Sequence, residues 1–255
     1  MQEREVFKFE KSGMKSKGAW TFAVFGVIAL FGGGFYSLIG ILMLAYSIYL
    51  FNKKSKVIVY TTGFIISEGK NLQNINFERI LAIKGDIGQK VKILYLNKPF
   101  FEYSNNEMNK IYSDYKEINF DDELLEKDFI NVFNIIKEQF RNYVFEKYNN
   151  DLEQVINSPY LFEQIKNNNL NFMKAKLFGG VTDTIIPLQY GDVVNVTTRK
   201  KAYVTNGQAD IRQARQSFEP QWQFASTSTK CDTVNLINAV LVQEILNKKY
   251  NIKFI

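Results

Sequence analysis

The 255 residues of this chain include no histidine and only one cysteine, Cys231. The first absence removes Ser-His-Asp and Cys-His nucleophile systems, histidine proton shuttles and every histidine-containing metal site. The second removes intrachain disulfides and cysteine-cluster metal sites. Cys231 stands just before an expected helix, whose N-terminus would favour a thiolate; an inert thiol is the simpler reading. No Walker, Rossmann or kinase motif occurs, and the Gly32–Gly34 run fits none of them. Charge, too, is missing from one long stretch: nothing between Ala19 and Phe51 is acidic or basic.

That stretch is the strongest signal in the chain. A charge at mid-bilayer costs a few kcal/mol on insertion scales, and a soluble core helix of this length would carry a polar face. Basic residues flank it, Lys11, Lys15 and Lys17 before and Lys53, Lys54 and Lys56 after. As one helix it would run about 50 Å, against a hydrocarbon core of ~30 Å. Gly32-Gly33-Gly34 divides it, because each interior glycine costs a helix up to ~1 kcal/mol. The spacing therefore predicts a tight two-helix hairpin over 19–52 rather than one long span. Lysines at both ends then place both termini in the cytoplasm, with 1–18 a cytoplasmic N-terminal segment. Trp20, Tyr46 and Tyr49 lie near the ends, as interfacial anchors do. Ala19/Ala23 and Ala29/Gly33 are small-residue pairs of the kind that lets helices approach closely. The run is too long for a signal-peptide core and no small-x-small cleavage site follows it.

Beyond residue 52 apolar residues are spaced among polar ones, enough for a folded core. Val57–Tyr60 and Phe64–Ile66 read as strands around a Thr61-Thr62-Gly63 turn. Ile75, Phe77, Ile80, Leu81 and Ile83 read as one extended stretch, and Val91, Ile93 and Tyr95 as the next strand after a Gly85–Gly88 turn. Ser104–Lys116 reads as a loop, with a further strand around Tyr115–Phe120. Asp121-Asp122-Glu123 opens a helix whose apolar face is Phe129, Val132, Phe133, Ile136, Phe140 and Val144. A second helical pattern covers Asp151–Ile165, with Ser158-Pro159 as an N-cap pair. Strands return over Phe172–Leu177, Thr184–Leu188, Val193–Val196, Ala202–Val204 and Trp222–Ala225. The chain closes with a helix capped by Asp232 or Thr233 and lined by Val234, Ile237, Val240, Leu241 and Ile245. The fold class is α+β, in which a block of antiparallel strands closed by one helix occurs twice.

Val57–Ile66, Phe77-Glu78-Arg79-Ile80 with Ile83, Phe178–Val181, Ile186-Pro187-Leu188, Asp192–Val194 and Trp222 before the helix Asn235–Leu246 carry a resemblance. Over most of residues 15–247 the chain resembles an uncharacterised bacterial family of membrane-anchored proteins with tandem PH-like folds. That family favours Trp-x-x-Ile in the middle strand; Phe77 stands in place of the Trp, and the second copy has Leu188. The resemblance implies a transmembrane hairpin, then PH-like modules at 55–148 and 170–255 joined by a helical connector at 149–169. It implies a fold and a place at the bacterial inner membrane, and no activity.

PH-like sheets bind anionic head groups at their loops, so the resemblance points to Arg199, Lys200, Lys201, Arg212 and Arg215 as lipid or anion ligands. A solvated charged face is the plainer reading of that cluster. Nucleic acid is not expected, since Tyr203 and Phe218 are the only aromatics near it and no recognisable module surrounds it. Asp121, Asp122 and Glu126 suit helix N-terminal complementarity better than acid–base or metal chemistry. The Asn195-Val196-Thr197 sequon has no meaning in the cytoplasm. No metal or cofactor is expected. The chain reads as a membrane-anchored scaffold or binding protein, not an enzyme. Its expected partners are membrane lipid and another protein, with self-association open. The alternatives are an accessory subunit of a larger membrane or secretion assembly, or a membrane enzyme using carboxylates.

Overall fold

A computed structural model describes residues 3–12, 17–52, 54–68, 71–84, 92–103, 115–119, 129–175, 181–202 and 216–255. The fold is α+β, and the sheets are built from antiparallel ladders with one short parallel addition. The chain divides into two compact units, one of Met1–Asn76 with Asp122–Gln139, the other of Phe77–Asp121 with Phe140–Ile255.

In the first unit, strands β1 (Glu5–Ser12), β2 (Lys54–Tyr60), β3 (Gly63–Glu68) and β4 (Asn71–Asn76) form a meander in that order. Helices α1 (Lys17–Leu30) and α2 (Phe35–Asn52) leave the sheet between β1 and β2. Val57, Ile58 and Val59 are all buried, so this part of β2 is covered on both faces, which explains its unbroken apolar run. Phe64 lies opposite Ile75 in the β3–β4 ladder, and both are buried. Gly63 opens β3 where a side chain has no room: a Cβ there would come within 2.3 Å of the Ile75 carbonyl oxygen. Helix α3 (Phe129–Lys147) begins in this unit, burying Val132, Phe133 and Ile136.

The second unit opens with a 3-10 turn at Phe77–Arg79, followed by the sheet β5 (Ile80–Lys84), β6 (Lys92–Tyr95) and β7 (Lys116–Asn119). The stretch expected to run extended from Ile75 to Ile83 is therefore broken. Phe77 turns into the core, edge-on to Phe140 at 5.9 Å and tilted on Tyr143 at 5.6 Å, and that inward turn ends β4 and starts a new sheet.

After α3 comes α4 (Leu152–Ile156), only one turn of the helix expected over Asp151–Ile165. Asp151 caps it by accepting from the Glu153 and Gln154 amides. Ser158, expected as an N-cap, instead donates back to the Val155 carbonyl at 2.6 Å, and Phe162 and Glu163 take left-handed backbone angles that no α-helix accommodates.

The remaining strands form two sheets. One has β10 (Val181–Pro187) beside β9 (Asn169–Ala175) beside β8 (Ile165–Lys166). The other runs β13 (Lys230–Asp232), β12 (Gln216–Phe224), β11 (Val193–Ala202) and β14 (Lys253–Phe254), with β14 parallel to β11. Helix α5 (Ala239–Tyr250) starts later than the sequence suggested. Thr233–Asn235 is a 3-10 turn, and Asn238 holds the N-cap position. Leu241, Val242, Ile245 and Leu246 are its buried face, packed in a core that includes Ile80, Ile93, Leu161, Leu170 and Phe224. Gly85–Gly88, Gly179-Gly180 and Asn206-Gly207, expected as turns, lie outside the described residues, as do Asp121, Asp122 and Glu126.

Candidate functional site

The helical pair is the most unusual surface of the chain. Helices α1 and α2 run antiparallel, joined through Gly33 and Gly34, whose positive φ angles of 70° and 54° let the chain reverse in a short space. The residues of the pair that are buried among those described are Ala19, Gly26, Gly40 and Ser47, all small and spaced seven apart along each helix. The helices touch backbone to backbone there. A Cβ on Gly40 would sit 2.8 Å from both the Gly26 oxygen and the Leu30 nitrogen. Ser47 donates to the Ala19 carbonyl at 2.8 Å and Ser37 to the Leu30 carbonyl at 3.1 Å, so side-chain hydroxyls are satisfied inside the pair. The close approach thus uses Ala19 with Ser47 and Gly26 with Gly40, while Ala23 and Ala29, which the sequence pattern singled out, are half-buried.

Most of the large side chains point outward. Phe25, Ile28, Phe31, Phe35, Leu42 and Ile48 are exposed, Phe31 at 87%. Aromatic rings gather at the open end, Trp20 edge-on to Phe51 at 5.3 Å and Phe22 edge-on to Tyr46 at 5.0 Å. Small and polar groups inside, apolar groups outside, is the reverse of a helical pair in water. Helix α2 is long and apolar enough to cross a membrane; α1 is apolar but shorter.

The ends of the pair are tied together by β1, an element the sequence reading left in the N-terminal flank. The signal was present: half-buried Phe7 and Phe9 alternate with exposed Lys8 and Glu10. Of the flanking lysines, Lys17 is the first residue of α1, and Lys54 and Lys56 lie in β2. Lys15 and Lys53 lie outside the described residues. Lys56 and Lys8 both approach one carboxylate, that of Glu10, at 3.7 and 3.2 Å. These lysines, Lys8 before Lys56, hold the Glu10 carboxyl below its usual range.

The basic cluster of the second unit is only partly in view. Arg199, Lys200 and Lys201 fall in β11, with Glu219, Phe218 and Ser217 as their ladder partners, whereas Arg212 and Arg215 lie outside the described residues. Arg199–Lys201 thus lie close to the C-terminal end of strand β11.

Inside the second unit the buried polar groups are structural in geometry. The Asn238 side chain accepts from the Ile83 amide at 2.9 Å and donates to the Tyr160 carbonyl at 2.7 Å and the Leu81 carbonyl at 3.3 Å. Glu78 accepts from the Tyr143 hydroxyl at 2.9 Å and from Lys147 at 2.8 Å. Asp192 accepts from the Val193 and Ser226 amides and the Ser226 hydroxyl, closing the turn before β11. Cys231 is fully buried in β13, two residues ahead of the first residue of a 3-10 turn and not at the N-terminus of an α-helix. Among the described residues no three Cys, Asp or Glu side chains converge.

No protein family, curated protein or solved structure matches this chain.

Proposed function

We propose that this protein is a membrane-tethered binding or scaffold module, without enzymatic activity, whose helical pair sits in the bilayer and whose sheets lie on the cytoplasmic side. The observation that carries this reading is the inverted polarity of the pair, with Ala19, Gly26, Gly40 and Ser47 inside and Phe25, Ile28, Leu42 and Ile48 outside. Outward apolar side chains lose little in hydrocarbon and much in water, at roughly 25 cal/mol per Å². At ~1.5 Å per residue α2 reaches about 27 Å, close to the ~30 Å core.

The PH-like reading of the soluble part draws on strand order. A four-stranded sheet, a three-stranded sheet and a helix come first; a three-stranded sheet, three strands of a four-stranded one and a helix follow, with β14 added after the helix. In this reading 55–148 and 170–255 are the two modules, with β1 joining the first sheet from the N-terminal segment and β8 just preceding the second module, and their rigid sheets present loops to a lipid or a protein. Cell fractionation tests the tether. The full chain should pellet with membranes and stay there through an alkaline carbonate wash; recovery in the supernatant without detergent rejects the reading.

A second reading, an accessory subunit of a larger membrane assembly, is favoured by Met173 and Ile185. These large apolar residues on neighbouring strands β9 and β10 are 60% and 61% exposed. Crosslinking and mass spectrometry in native membranes tests it: a partner crosslinked through the β9–β10 face supports it, and monomer-only recovery opposes it.

A further inference from the structure

The register of the first sheet places the cations around the helical pair at one end of a folded platform. Strand β1 runs toward the pair and β2 runs away from it, with Ser12 opposite Lys54 and Lys11 opposite Ser55. Ser55 in turn lies opposite Glu68, and Glu68 opposite Asn71. The end of all four strands nearest the helices is therefore the Ser12, Lys54, Glu68, Asn71 end. The other end is Glu5, Tyr60, Gly63 and Asn76, closed by the Thr61 amide donating to the Arg4 carbonyl at 3.0 Å.

Connections to the helices are short. One residue separates α2 from β2, and four separate β1 from α1. At ~3.5 Å per extended residue, Lys54 lies within about 7 Å of the last residue of α2. If the pair fills the bilayer, this end of the sheet lies in the head-group layer.

Its charge is mostly of one sign. Among the described residues, Lys11, Lys17, Lys54 and Lys56 sit at these positions, and Glu10 and Glu68 are the acids nearby. Glu10 is already shared between Lys8 and Lys56. The far end instead carries Glu3 and Glu5 beside Arg4. Such a gradient along one sheet matches a surface of negative charge on the helix side.

We infer that the helix-side end of the β1–β4 sheet is an anionic-phospholipid binding surface, with Lys11, Lys54 and Lys56 as its cations, and that it is this surface, not the β11 cluster, that gives the protein its lipid preference. The inference rests on the membrane-tether reading. Folding of β1 onto β2 is what assembles the surface, because the ladder sets Lys11 opposite Ser55, level with Lys54 and Lys56 on the next strand, so that the end of the sheet carries cations at positions of both faces.

The test uses the full chain reconstituted in phosphatidylcholine vesicles, with flotation through carbonate as a first readout. The association of spin-labelled phosphatidylglycerol is then compared with that of spin-labelled phosphatidylcholine. The expected result is a preference for the anionic lipid of about fivefold per contacting lysine, since each cation at such a surface is worth about 1 kcal/mol. It should collapse in 0.5 M NaCl and in the Lys11→Gln/Lys54→Gln/Lys56→Gln variant, while Arg4→Gln, at the far end, leaves it intact. Salt on the unaltered protein keeps the test alive if the triple variant misfolds. Floating without any lipid preference, or a preference lost in Arg199→Gln/Lys200→Gln/Lys201→Gln instead, overturns this inference and leaves the tether standing. Failure to float on neutral vesicles overturns the tether itself.

Discussion

Ser47 donates its hydroxyl hydrogen to the main-chain oxygen of Ala19, 28 positions earlier, at the open end of the helical pair. The bond is short, at 2.8 Å, and buried, and with Gly26 against Gly40 it fixes both rotation and spacing of the two helices. Gly40→Ala is the sharper probe. Its new Cβ would meet two backbone atoms at 2.8 Å, neither of which is a flexible side-chain end. Overpacking of this kind costs roughly 1–3 kcal/mol, against a helix-propensity gain of up to about 1 kcal/mol. Ser47→Ala should cost about 1 kcal/mol or less, the scale of interhelical hydrogen bonds in membranes. Denaturation of the detergent-purified chain by titrated SDS checks both. A Gly40→Ala protein more stable than the parent would show that the helices do not approach as closely as described.

Asn238→Ala should be among the most destabilising single changes in the second unit. The substitution strands the Ile83 amide and relieves the Tyr160 and Leu81 carbonyls of their donor, all at a fully buried position. One unsatisfied buried group costs about 1–3 kcal/mol, so a loss of roughly 3 kcal/mol or more is expected. Asn238→Asp keeps the acceptor for Ile83 but supplies no donor, and it brings a charge into the core, so it should be no milder. Thermal unfolding followed by far-UV circular dichroism reads this directly. A loss under 1 kcal/mol in both variants would mean that water reaches the site.

The Glu78, Tyr143 and Lys147 cluster gives stability a defined pH dependence. Burial pushes the Glu78 carboxyl up, but hydrogen bonds from Lys147 and Tyr143 and the Lys147 charge outweigh it, leaving a net lowered pKa. A lowered folded-state value means that the unfolded chain binds the proton more readily. The contribution is present above the ordinary carboxyl range near pH 4.5 and fades as pH falls through the lower folded value. On the alkaline side burial raises Tyr143, with the Glu78 hydrogen bond adding to it, and burial raises Tyr148 and Tyr160 as well. Their contribution is complete below about pH 10 and falls as pH climbs further. Glu78→Gln should flatten the acid limb of stability against pH, and Tyr143→Phe should soften the alkaline limb. Limbs unchanged in both variants would exclude the cluster as their source.

Some of this could be read from residues alone and some could not. The apolar run with its glycine break declared two helices, because bilayer energetics act on single residues and leave a local mark. Strands β2 and β3 followed from β-rich apolar runs between turn residues, and β6 from alternation. Strand β1 carried the same alternation at Phe7 and Phe9, but its partner β2 lies beyond the whole helical pair, and pairing at that distance leaves no local trace. Phe77 reads as a strand residue by type; only its tertiary neighbours Phe140 and Tyr143 turn it into a 3-10 corner. The start of α5 was misplaced for a similar reason. Asp232 and Thr233 are good caps by composition, yet the chain spends three residues in a 3-10 turn so that Asn238 can reach Ile83, Leu81 and Tyr160. The basic cluster around Arg199 was conspicuous as composition, and Lys11 was legible as a flanking charge, but only the ladder sets it level with Lys54 and Lys56 at one end of a sheet.

The β1–β2 ladder also makes a topological prediction. Glu10 can lie opposite Lys56 and Ser12 opposite Lys54 only if both ends of the helical pair emerge on one side of the bilayer. Unpaired strand edges buried in lipid would leave several backbone groups unsatisfied, each costing some kcal/mol, so no threading of β1 through the membrane competes with this arrangement. Both termini should therefore report the same compartment, and from the flanking lysines the expected one is the cytoplasm. Green fluorescent protein fused to either end should fluoresce, and alkaline phosphatase at either end should stay inactive. The thiol route is independent: Cys231 is fully buried, so a cysteine placed by Glu3→Cys provides the accessible thiol. Membrane-impermeant maleimide should label it in inside-out vesicles and not in intact cells. Labelling in intact cells, or fusions that place the two termini in different compartments, would break the pairing of β1 with β2 in the native protein. The lipid surface built on that pairing would fall with it.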